Sequence, residues 1–195
     1  CKKYAFVSDF ARFWILYNYG GIYFDTDVEV IRSIDDIIAN GAFMGVETPV
    51  KKKNDILTVA PGLGIGAEPN MDFYQQLLSY YTELHFVDKN GNLLQTTVVQ
   101  HTTSLLQKAG LKPINEIQKV SGIWIYPAEY FNPINITTKH IHIRKNTRTI
   151  HHYTATWVDD RKRRKRVRKM MKIIPEPILL IYHELKHSIL KYKKS

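Results

Sequence analysis

Two glycines followed by an aromatic stretch and two closely spaced carboxylates constrain the fold of this chain more than any other feature. The segment reads Tyr19-Gly20-Gly21-Ile22-Tyr23-Phe24-Asp25-Thr26-Asp27. We predict that residues 22–28 form a strand, on which side chains alternate between faces, so Asp25 and Asp27 point the same way. Ionised carboxylates this close repel each other unless a cation lies between them, and a hard divalent ion that binds phosphate oxygens is the usual solution. The motif therefore indicates a metal and phosphate site, the alternative being an acidic strand end that faces water.

The residues before the glycines predict one helix of about three turns. Ser8 is a favourable N-cap, residues 9–19 contain neither proline nor glycine, and Gly20 suits a helix end. Asp9 and Arg12 are three positions apart, so they lie on one helix face. A surface ion pair at this spacing contributes under about 1 kcal/mol to stability. Such a contribution does not explain why Asp9 and Arg12 lie beside the acidic strand, so a functional role is favoured.

Helix and strand signals alternate along the rest of the chain and favour a mixed α/β layer architecture. The expected helices lie at 33–38, with Ser33 and Asp36 as a capping box, and at 71–84 and 98–109, and the expected strands and extended segments lie at 42–46, 123–126, 140–142 and 149–153. Glycine stands at every second position of 62–66, which on a strand would clear one face for the close approach of a ligand or another backbone.

Composition fits one soluble domain with a substantial core, because 44% of the 195 residues are hydrophobic and 12% are aromatic. The sequence starts at Cys1 without a charged leader, an apolar signal core or a run of about 18 apolar residues, so we expect neither an export signal nor a membrane span. The single cysteine cannot form an internal disulfide, which fits a reducing compartment.

Positive charge is concentrated at one end of the chain. Residues 161–195 contain 13 Lys and Arg against Glu176 and Glu184, a net charge of +11, whereas residues 1–160 contain 15 basic and 16 acidic residues, a net charge of −1. The overall charge of +10 therefore belongs to a basic tail, with an expected helix over 178–192. This distribution indicates a docking segment and not a domain built around nucleic acid.

Three motifs follow one another in order over residues 4–157. They are Ser8-Asp9-x-x-Arg12, Leu16-Tyr17-x-x-Gly20-Gly21-x-Tyr23-x-Asp25-x-Asp27 and His152-Tyr153-x-x-Thr156-Trp157. Together they resemble the sugar-nucleotide transferases of glycosyltransferase family 32, the bacterial capsule and fungal mannosyltransferase type that is related to the glucosylating clostridial toxins. The resemblance implies a GT-A fold, which is a Rossmann-like mixed sheet flanked by helices, and a hexosyltransferase reaction from a nucleotide diphosphate donor with retention at the anomeric carbon. It also implies a divalent cofactor, Mn²⁺ or Mg²⁺, and favours a UDP-sugar over a GDP-sugar as donor.

The resemblance also implies roles for the residues at matching positions in the first two motifs. The implied catalytic set is Asp9, Arg12, Asp25 and Asp27. Asp25 and Asp27 would be the metal pair, with Asp27 the more direct ligand and Asp25 also contacting the ribose or the sugar. Asp9 and Arg12 would bind the donor sugar and organise its phosphate side. Tyr23 either packs against the nucleotide or fills the core.

The third motif would complete the metal and phosphate site. His151 and His152 are both available as a metal ligand, and the sequence leaves open which of them coordinates. Thr156 stands where serine is common in related enzymes, and Trp157 would donate its indole N–H to the β-phosphate of the donor.

The implied chemistry needs no general acid from the protein. Cleavage of the sugar–phosphate bond leaves a nucleoside diphosphate, whose growing charge a metal ion, Arg12 and an indole N–H would stabilise. The resemblance implies a same-face displacement in which the leaving phosphate helps to take the proton of the acceptor hydroxyl. The residues alone leave retention or inversion open.

The resemblance is incomplete at the start of the chain. Members of the family carry a first β-α-β portion before the Ser-Asp-x-x-Arg helix, with the strand and loop that bind the base, and here only residues 1–7 precede that motif. We therefore expect a catalytic domain over 1–160 that lacks this portion, followed by the basic tail over 161–195. Whether the chain binds donor without the missing portion is left open.

The basic tail has three interpretations. It forms a solvated surface, contacts the anionic membrane that carries a lipid-linked acceptor, or binds nucleic acid. Nucleic acid is disfavoured because the basic run at 161–169 lacks interleaved aromatic residues that would stack on bases. We expect a cytoplasmic bacterial enzyme, peripheral at the inner membrane face, that extends a surface polysaccharide on a saccharide or lipid-linked saccharide acceptor.

Two other functions compete with a transferase. A glycoside hydrolase would place two carboxylates across a sugar ring on separate elements, about 5 Å or more apart, whereas Asp25 and Asp27 stand on one short segment. A non-catalytic fragment or binding module, whose tail binds lipid or nucleic acid, is the second alternative, and the missing first portion favours it.

Overall fold

The computed structural model describes residues 4–50, 55–84, 96–135 and 140–154, which alternate between helices and strands. The helices are α1 (Tyr4–Tyr19), α2 (Asp35–Ile38), α3 (Asp72–Glu83), α4 (Val98–Lys108) and α5 (Ala128–Phe131), with a 3-10 turn at Pro61–Leu63. The strands are β1 (Gly21–Tyr23), β2 (Val28–Val30), β3 (Phe43–Thr48), β4 (Thr58–Val59), β5 (Ile65–Ala67), β6 (Gln118–Val120), β7 (Ile123–Tyr126) and β8 (Thr149–His151).

The main sheet mixes parallel and antiparallel strands in the order β1-β5-β3-β7-β6, with β4 paired to β3. Strands β3 and β7 run parallel, with Phe43 opposite Trp124, and the other pairs of this sheet are antiparallel. Strands β2 and β8 form a separate two-stranded antiparallel sheet. Helices α1, α4 and α5 contact the strands, so the predicted mixed α/β architecture is confirmed.

An aromatic core fixes the position of α1. Phe13 is fully buried and meets Tyr74 and Tyr81 of α3, with ring centroids 6.3 and 5.7 Å apart. Rings of this size contribute much of the apolar area that folding removes from water. Because α1 is anchored in this way, Asp9 and Arg12 on the same helix have defined positions at the edge of the core.

The predicted helix at 98–109 and the predicted strand at 123–126 are confirmed as α4 and β7. Helix α4 begins with a reciprocal cap, in which the Gln100 N–H donates to Thr97 Oγ1 and the Thr97 N–H donates to Gln100 Oε1. The cap satisfies two backbone donors that have no partner within the helix.

The predicted continuous strand through the Asp-x-Asp motif is wrong. Strand β1 ends at Tyr23, a turn follows, and β2 begins at Val28. The Asp25 N–H donates to the Gly62 carbonyl at 3.0 Å and the Val28 N–H donates to the Asp25 carbonyl at 3.0 Å, so the backbone leaves the strand here. The turn, and not strand alternation, places Asp25 and Asp27.

Two predicted helix caps are also wrong. Helix α1 begins before Ser8, which therefore lies inside the helix. The Asp35 N–H donates to Ser33 Oγ at 3.1 Å, but α2 has no side-chain cap at its N-terminus. The Asp36 carboxylate, expected to complete a capping box, lies instead 2.7 Å from Arg148 Nη2. A cation distant in sequence thus takes the place of the local backbone donor.

The alternating glycines lie on two elements, because Gly62 belongs to the 3-10 turn and Gly66 to β5. The stretch is therefore not one continuous strand, although close approach is a property of both positions. A Cβ would stand 2.1 Å from Asp25 Oδ2 at Gly62 and 2.5 Å from the Phe43 ring at Gly66. Neither site accommodates a side chain without movement of its neighbour.

Thr156, Trp157 and the basic tail at 161–195 lie outside the described residues, so the interpretations given to them stay predictions. Along the part of the chain that the structure describes, no helix combines the length and the apolar character needed to cross a membrane.

Candidate functional site

Asp25 and Asp27 meet His151 where the turn after β1 lies against β8. The pairing of β2 with β8 sets Val28 opposite His151, and the His152 N–H donates to the Asp27 carbonyl at 2.9 Å. His151 Nε2 consequently lies 3.2 Å from Asp27 Oδ1 and 3.7 Å from Asp25 Oδ2. One ligand atom from each of these three residues falls within 4.8 Å of the other two. The structure thus brings two carboxylates and one imidazole to a single point.

The two adjacent histidines face different partners. His151 is buried beside the carboxylates, whereas the His152 side chain is 41% exposed and its Nε2 lies 2.9 Å from Glu29 Oε2. Successive side chains of an extended segment point to opposite faces. The register of β8 therefore directs His151 to the carboxylates and His152 away from them.

Arg12 engages the other side of Asp25. Its guanidinium lies 2.8 Å from Asp9 Oδ1 and 3.1 Å from Asp25 Oδ1, and only 8% of the Arg12 side chain is exposed. Tyr23 also donates its hydroxyl to Asp25 Oδ1 at 2.8 Å, and the Arg12 guanidinium carbon lies 4.5 Å from the centroid of the Tyr23 ring. Two donors thus hold Oδ1, while Oδ2 is the oxygen nearer to His151.

Burial and neighbouring groups act differently on the two carboxyl groups next to Arg12. Burial raises the pKa of Asp9 to about 6, and the Arg12 charge offsets it only in part. Burial also acts to raise the pKa of Asp25, but His151, Arg12 and Tyr23 together hold that pKa below its ordinary value. Burial raises the pKa of the Tyr23 phenol to about 12, so its hydroxyl remains a donor. Asp25 is therefore ionised at neutral pH, as a metal ligand has to be.

Gly62 determines where the Asp25 side chain lies. The Gly62 carbonyl accepts the Asp25 N–H at 3.0 Å, and a Cβ at Gly62 would stand 2.1 Å from Asp25 Oδ2. The glycine therefore leaves the space that the carboxylate occupies. The sequence indicated a close approach at this position, and the approaching group in the structure is a side chain of the Asp-x-Asp motif.

Glu47 and Tyr153 extend the site, and sequence analysis gave neither of them a role. The Tyr153 ring centroid lies 4.2 Å from that of His151, and the Tyr153 N–H donates to His151 Nδ1 at 3.2 Å. The Tyr153 hydroxyl donates to Glu47 Oε1 at 3.3 Å. Burial raises the pKa of Glu47, and the bond from Tyr153 opposes this effect. Tyr153 stands within the third motif, which was a usable signal, whereas Glu47 is an ordinary strand residue in the sequence.

The donor atoms fit a hard divalent cation. Two carboxylate oxygens and an imidazole nitrogen are ligands that Mn²⁺ accepts, and three protein ligands leave coordination positions for diphosphate oxygens. Asp25, Asp27 and His151 are the residues that would hold the ion. Coordination through His151 Nε2 places the ring proton on Nδ1, so the present bond from the Tyr153 N–H has to open.

The residues that the sequence singled out fall into three groups in the structure. The first group is one connected set of contacts: Asp9, Arg12, Tyr23, Asp25, Asp27 and His151. The second is His152, which pairs with Glu29. The third is Thr156 and Trp157, which lie outside the described residues.

Comparison with known proteins bears on the same part of the chain. Residues 1–44 match a family model described as the glycosyltransferase sugar-binding region containing DXD motif, and they include Asp25 and Asp27. The chain is also 28% identical over 137 residues to a protein named uncharacterized glycosyltransferase L373 from Acanthamoeba polyphaga mimivirus. The alignment covers 69% of this chain and 51% of the viral protein, so the chain spans about half the length of this curated relative.

No solved structure matches the chain. The mixed sheet flanked by helices is consistent with a GT-A-like glycosyltransferase fold, as the sequence predicted. Both matches concern glycosyltransferases, and the cluster of Asp25, Asp27 and His151 lies at the DXD motif. The chain is therefore similar to glycosyltransferases, over a sugar-binding region whose two aspartates meet a histidine.

Proposed function

We propose that this chain is the catalytic part of a retaining, metal-dependent glycosyltransferase of the family 32 type. It moves a hexosyl group from a nucleotide diphosphate donor, a UDP-sugar in preference to a GDP-sugar, to a saccharide or lipid-linked saccharide. The observation that carries this proposal is the convergence of Asp25, Asp27 and His151 within 4.8 Å at the DXD motif. Asp25 and Asp27 are neighbours in the sequence, and His151, more than a hundred positions away, joins them beside the buried Arg12.

The residues of the site divide the work of binding the donor. A divalent ion, when bound, supplies positive charge to the diphosphate and lowers the energy of the leaving group. Asp25, Asp27 and His151 hold that ion, and the ionised state of Asp25 is maintained by its neighbours. Arg12, fixed by Asp9 and Asp25, contributes a permanent positive charge at the same place.

The transfer balances without a general acid from the protein. The acceptor oxygen forms a bond to the anomeric carbon, and the bond from that carbon to the phosphate oxygen breaks. The electron pair leaves with the nucleoside diphosphate, which also receives the proton of the acceptor hydroxyl. The protein's part is to place the donor and to stabilise charge on the diphosphate. We assign Trp157 and Thr156 to the same diphosphate, on the strength of their place in the third motif.

The setting of the reaction is part of the proposal. We place the enzyme in the bacterial cytoplasm, with a catalytic domain over 1–160 and with the tail over 161–195 resting on the anionic inner membrane face during surface polysaccharide synthesis. The tail's net charge of +11 supports this placement, as does its lack of aromatics in the basic run. Liposome sedimentation with and without the tail tests it, and equal sedimentation of both forms would exclude membrane docking by this segment.

Hydrolysis of a panel of nucleotide sugars by the full-length protein tests the central activity. We expect release of a nucleoside diphosphate from one or a few donors in the presence of Mn²⁺, and loss of release on chelation. A non-catalytic module releases none. A glycoside hydrolase acts on a glycoside without Mn²⁺. We do not favour that activity, because both carboxylates lie next to the same imidazole, that of His151.

A further inference from the structure

A cavity of about 580 Å³ opens at the end of β3, next to the candidate site. Its polar lining includes Glu47, Thr48, Glu129, Asn132, Asn135 and Arg144. The cavity is large enough for one or two sugar rings, since ligand pockets of about 300–1,000 Å³ hold molecules of that size. Nothing in the reaction described above gives it a role.

Glu47 connects this cavity to the metal ligands. Its side chain lines the cavity and also accepts the Tyr153 hydroxyl at 3.3 Å. The Tyr153 ring lies against His151, whose Nε2 is 3.2 Å from Asp27 Oδ1. The path from the cavity to the cluster therefore crosses a single aromatic side chain. A molecule that reaches Glu47 in the cavity would be one side chain, that of Tyr153, away from His151.

The charges of the lining decide which kind of molecule fits. Among the described residues of the lining, carboxylates come from Glu47, Asp55 and Glu129, and the basic side chains are the Arg144 guanidinium and the His142 imidazole. Arg144 Nε lies 3.7 Å from Glu129 Oε2, so its charge is already directed to a protein carboxylate. An excess of negative charge disfavours a diphosphate. Carboxylate oxygens and the amides of the lining are suited to the hydroxyl groups of an uncharged sugar.

The inner wall of the cavity is well fixed. Asn132 is buried, with 5% of its surface exposed, and its Nδ2 donates to the Glu47 carbonyl at 3.0 Å. Glu129 is held from a second direction by Asn146, whose Nδ2 donates to Glu129 Oε1 at 2.9 Å. Hydrogen-bonding side chains that are already fixed before a ligand binds lose little conformational freedom on binding.

We propose that this cavity binds the acceptor, as an uncharged, hydroxyl-rich saccharide whose reacting end lies at Glu47. The inference rests on the proposed glycosyltransferase function and adds the place and the charge of the acceptor. Glu47 accepts a hydrogen bond from an acceptor hydroxyl and orients it towards the metal ligands. The donor occupies the side of the cluster where Arg12 lies.

A steric block tests the proposal. Thr48 is exposed at the end of β3 and lines the cavity, so Thr48→Trp adds a large ring to the lining. Asp25, Asp27 and His151 are not part of that lining. Thr82→Trp is the matched control, because Thr82 is exposed on α3 and is not part of the lining. The probe is a printed array of neutral and uronic-acid-containing oligosaccharides, read with labelled full-length protein. Mn²⁺-dependent donor hydrolysis, in which water replaces the acceptor, is measured in parallel.

We expect the wild type and Thr82→Trp to bind neutral oligosaccharides and to hydrolyse the donor alike, and Thr48→Trp to bind the oligosaccharides at least tenfold more weakly. Glu47→Gln keeps the shape of the wall, and we expect it to weaken binding by a smaller factor. Equal binding by Thr48→Trp and the wild type overturns the proposal, as does retention of acidic oligosaccharides alone or of none. Absence of donor hydrolysis in the wild type would instead overturn the proposed function, so the two failures are distinguishable.

Discussion

The two sides of Asp25 differ in the kind of positive charge that they offer. On the Arg12 side, one buried guanidinium lies within 3.1 Å of both Asp9 and Asp25. On the His151 side, Asp25 and Asp27 face an imidazole that carries no fixed charge. On the Arg12 side the protein itself supplies a permanent cation, whereas the His151 side gathers carboxylates without one. The difference indicates that the Arg12 side has a structural role and that the His151 side is where a bound cation belongs.

Removing a carboxylate from the His151 side has the largest expected effect. In Asp27→Ala the metal site loses a ligand while the contacts of Arg12 remain. We expect Mn²⁺-dependent donor hydrolysis to fall by about a thousandfold or more, since the diphosphate loses its main charge stabilisation. Steady-state release of nucleoside diphosphate measures it. Activity within tenfold of wild type would mean that the His151 side is not the catalytic one.

Removing the cation from the Arg12 side should damage the fold more than the chemistry of metal binding. Arg12→Ala leaves the buried Asp9 carboxylate without its partner. Breaking a fully buried ion pair lowers the free energy of unfolding by about 3–5 kcal/mol. We expect a smaller loss here because Asp25, the second partner of Arg12, is partly exposed. Urea unfolding measures the loss. Arg12→Lys retains the charge and should recover part of the stability. An Arg12→Ala protein as stable as wild type would show that the contacts of Arg12 do not stabilise the fold.

The pH dependence of stability sharpens the same contrast. The pKa of Asp9 is about 6 in the folded protein against a reference value of 3.8, so between these values the folded chain holds a proton that the unfolded chain has released. Asp9 therefore contributes stability that is complete below about pH 4 and is lost as the pH rises through about 6, by roughly 3 kcal/mol.

Denaturant unfolding of the wild type and Asp9→Asn across this pH range isolates that contribution, because asparagine does not titrate. The stability of the wild type relative to the variant should decrease as the pH rises from about 4 to 6 and then level off. A constant difference would show that the pKa of Asp9 is the same in the folded and the unfolded chain, so that its burial has no such cost.

A smaller effect is expected where the backbone supports Asp25. Gly62→Ala places a Cβ where Asp25 Oδ2 now lies, so the carboxylate has to move. We expect overpacking to cost about 1–3 kcal/mol and the shifted ligand to weaken Mn²⁺ binding by about tenfold. Gly66→Ala is the control, because its Cβ meets the Phe43 ring and should lower stability alone. Equal Mn²⁺ affinity in both variants would show that Gly62 has no role in positioning the metal ligand Asp25.

The sequence predicted the parts of the site that depend on local geometry. The spacing of Asp9 and Arg12 put them on one helix face, and the structure has them 2.8 Å apart. The continuous strand through Asp25 failed because its N–H pairs with Gly62, a partner that no local pattern identifies. The helix end at Gly20 was readable, since the residue adopts a positive φ that glycine tolerates.

The remaining parts depend on pairing between distant segments. Two adjacent histidines are equivalent in the sequence, and only the register of β2 against β8 directs His151 to the carboxylates. Glu47 carried no signal because its role arises from Tyr153, which is about a hundred positions away in the chain. Register between distant strands is set by tertiary packing and not by residue preference.

The contrast between His151 and His152 allows the most direct test of the metal site. Isothermal titration with Mn²⁺ would compare the wild type, His151→Ala and His152→Ala, with thermal unfolding as a check that each variant folds. We expect His151→Ala to weaken Mn²⁺ binding by about ten- to a hundredfold, because a ligand is lost, and His152→Ala to bind within about twofold of wild type. Equal weakening by both variants, or a larger effect of His152→Ala, would contradict the assignment of Asp25, Asp27 and His151 as the metal ligands.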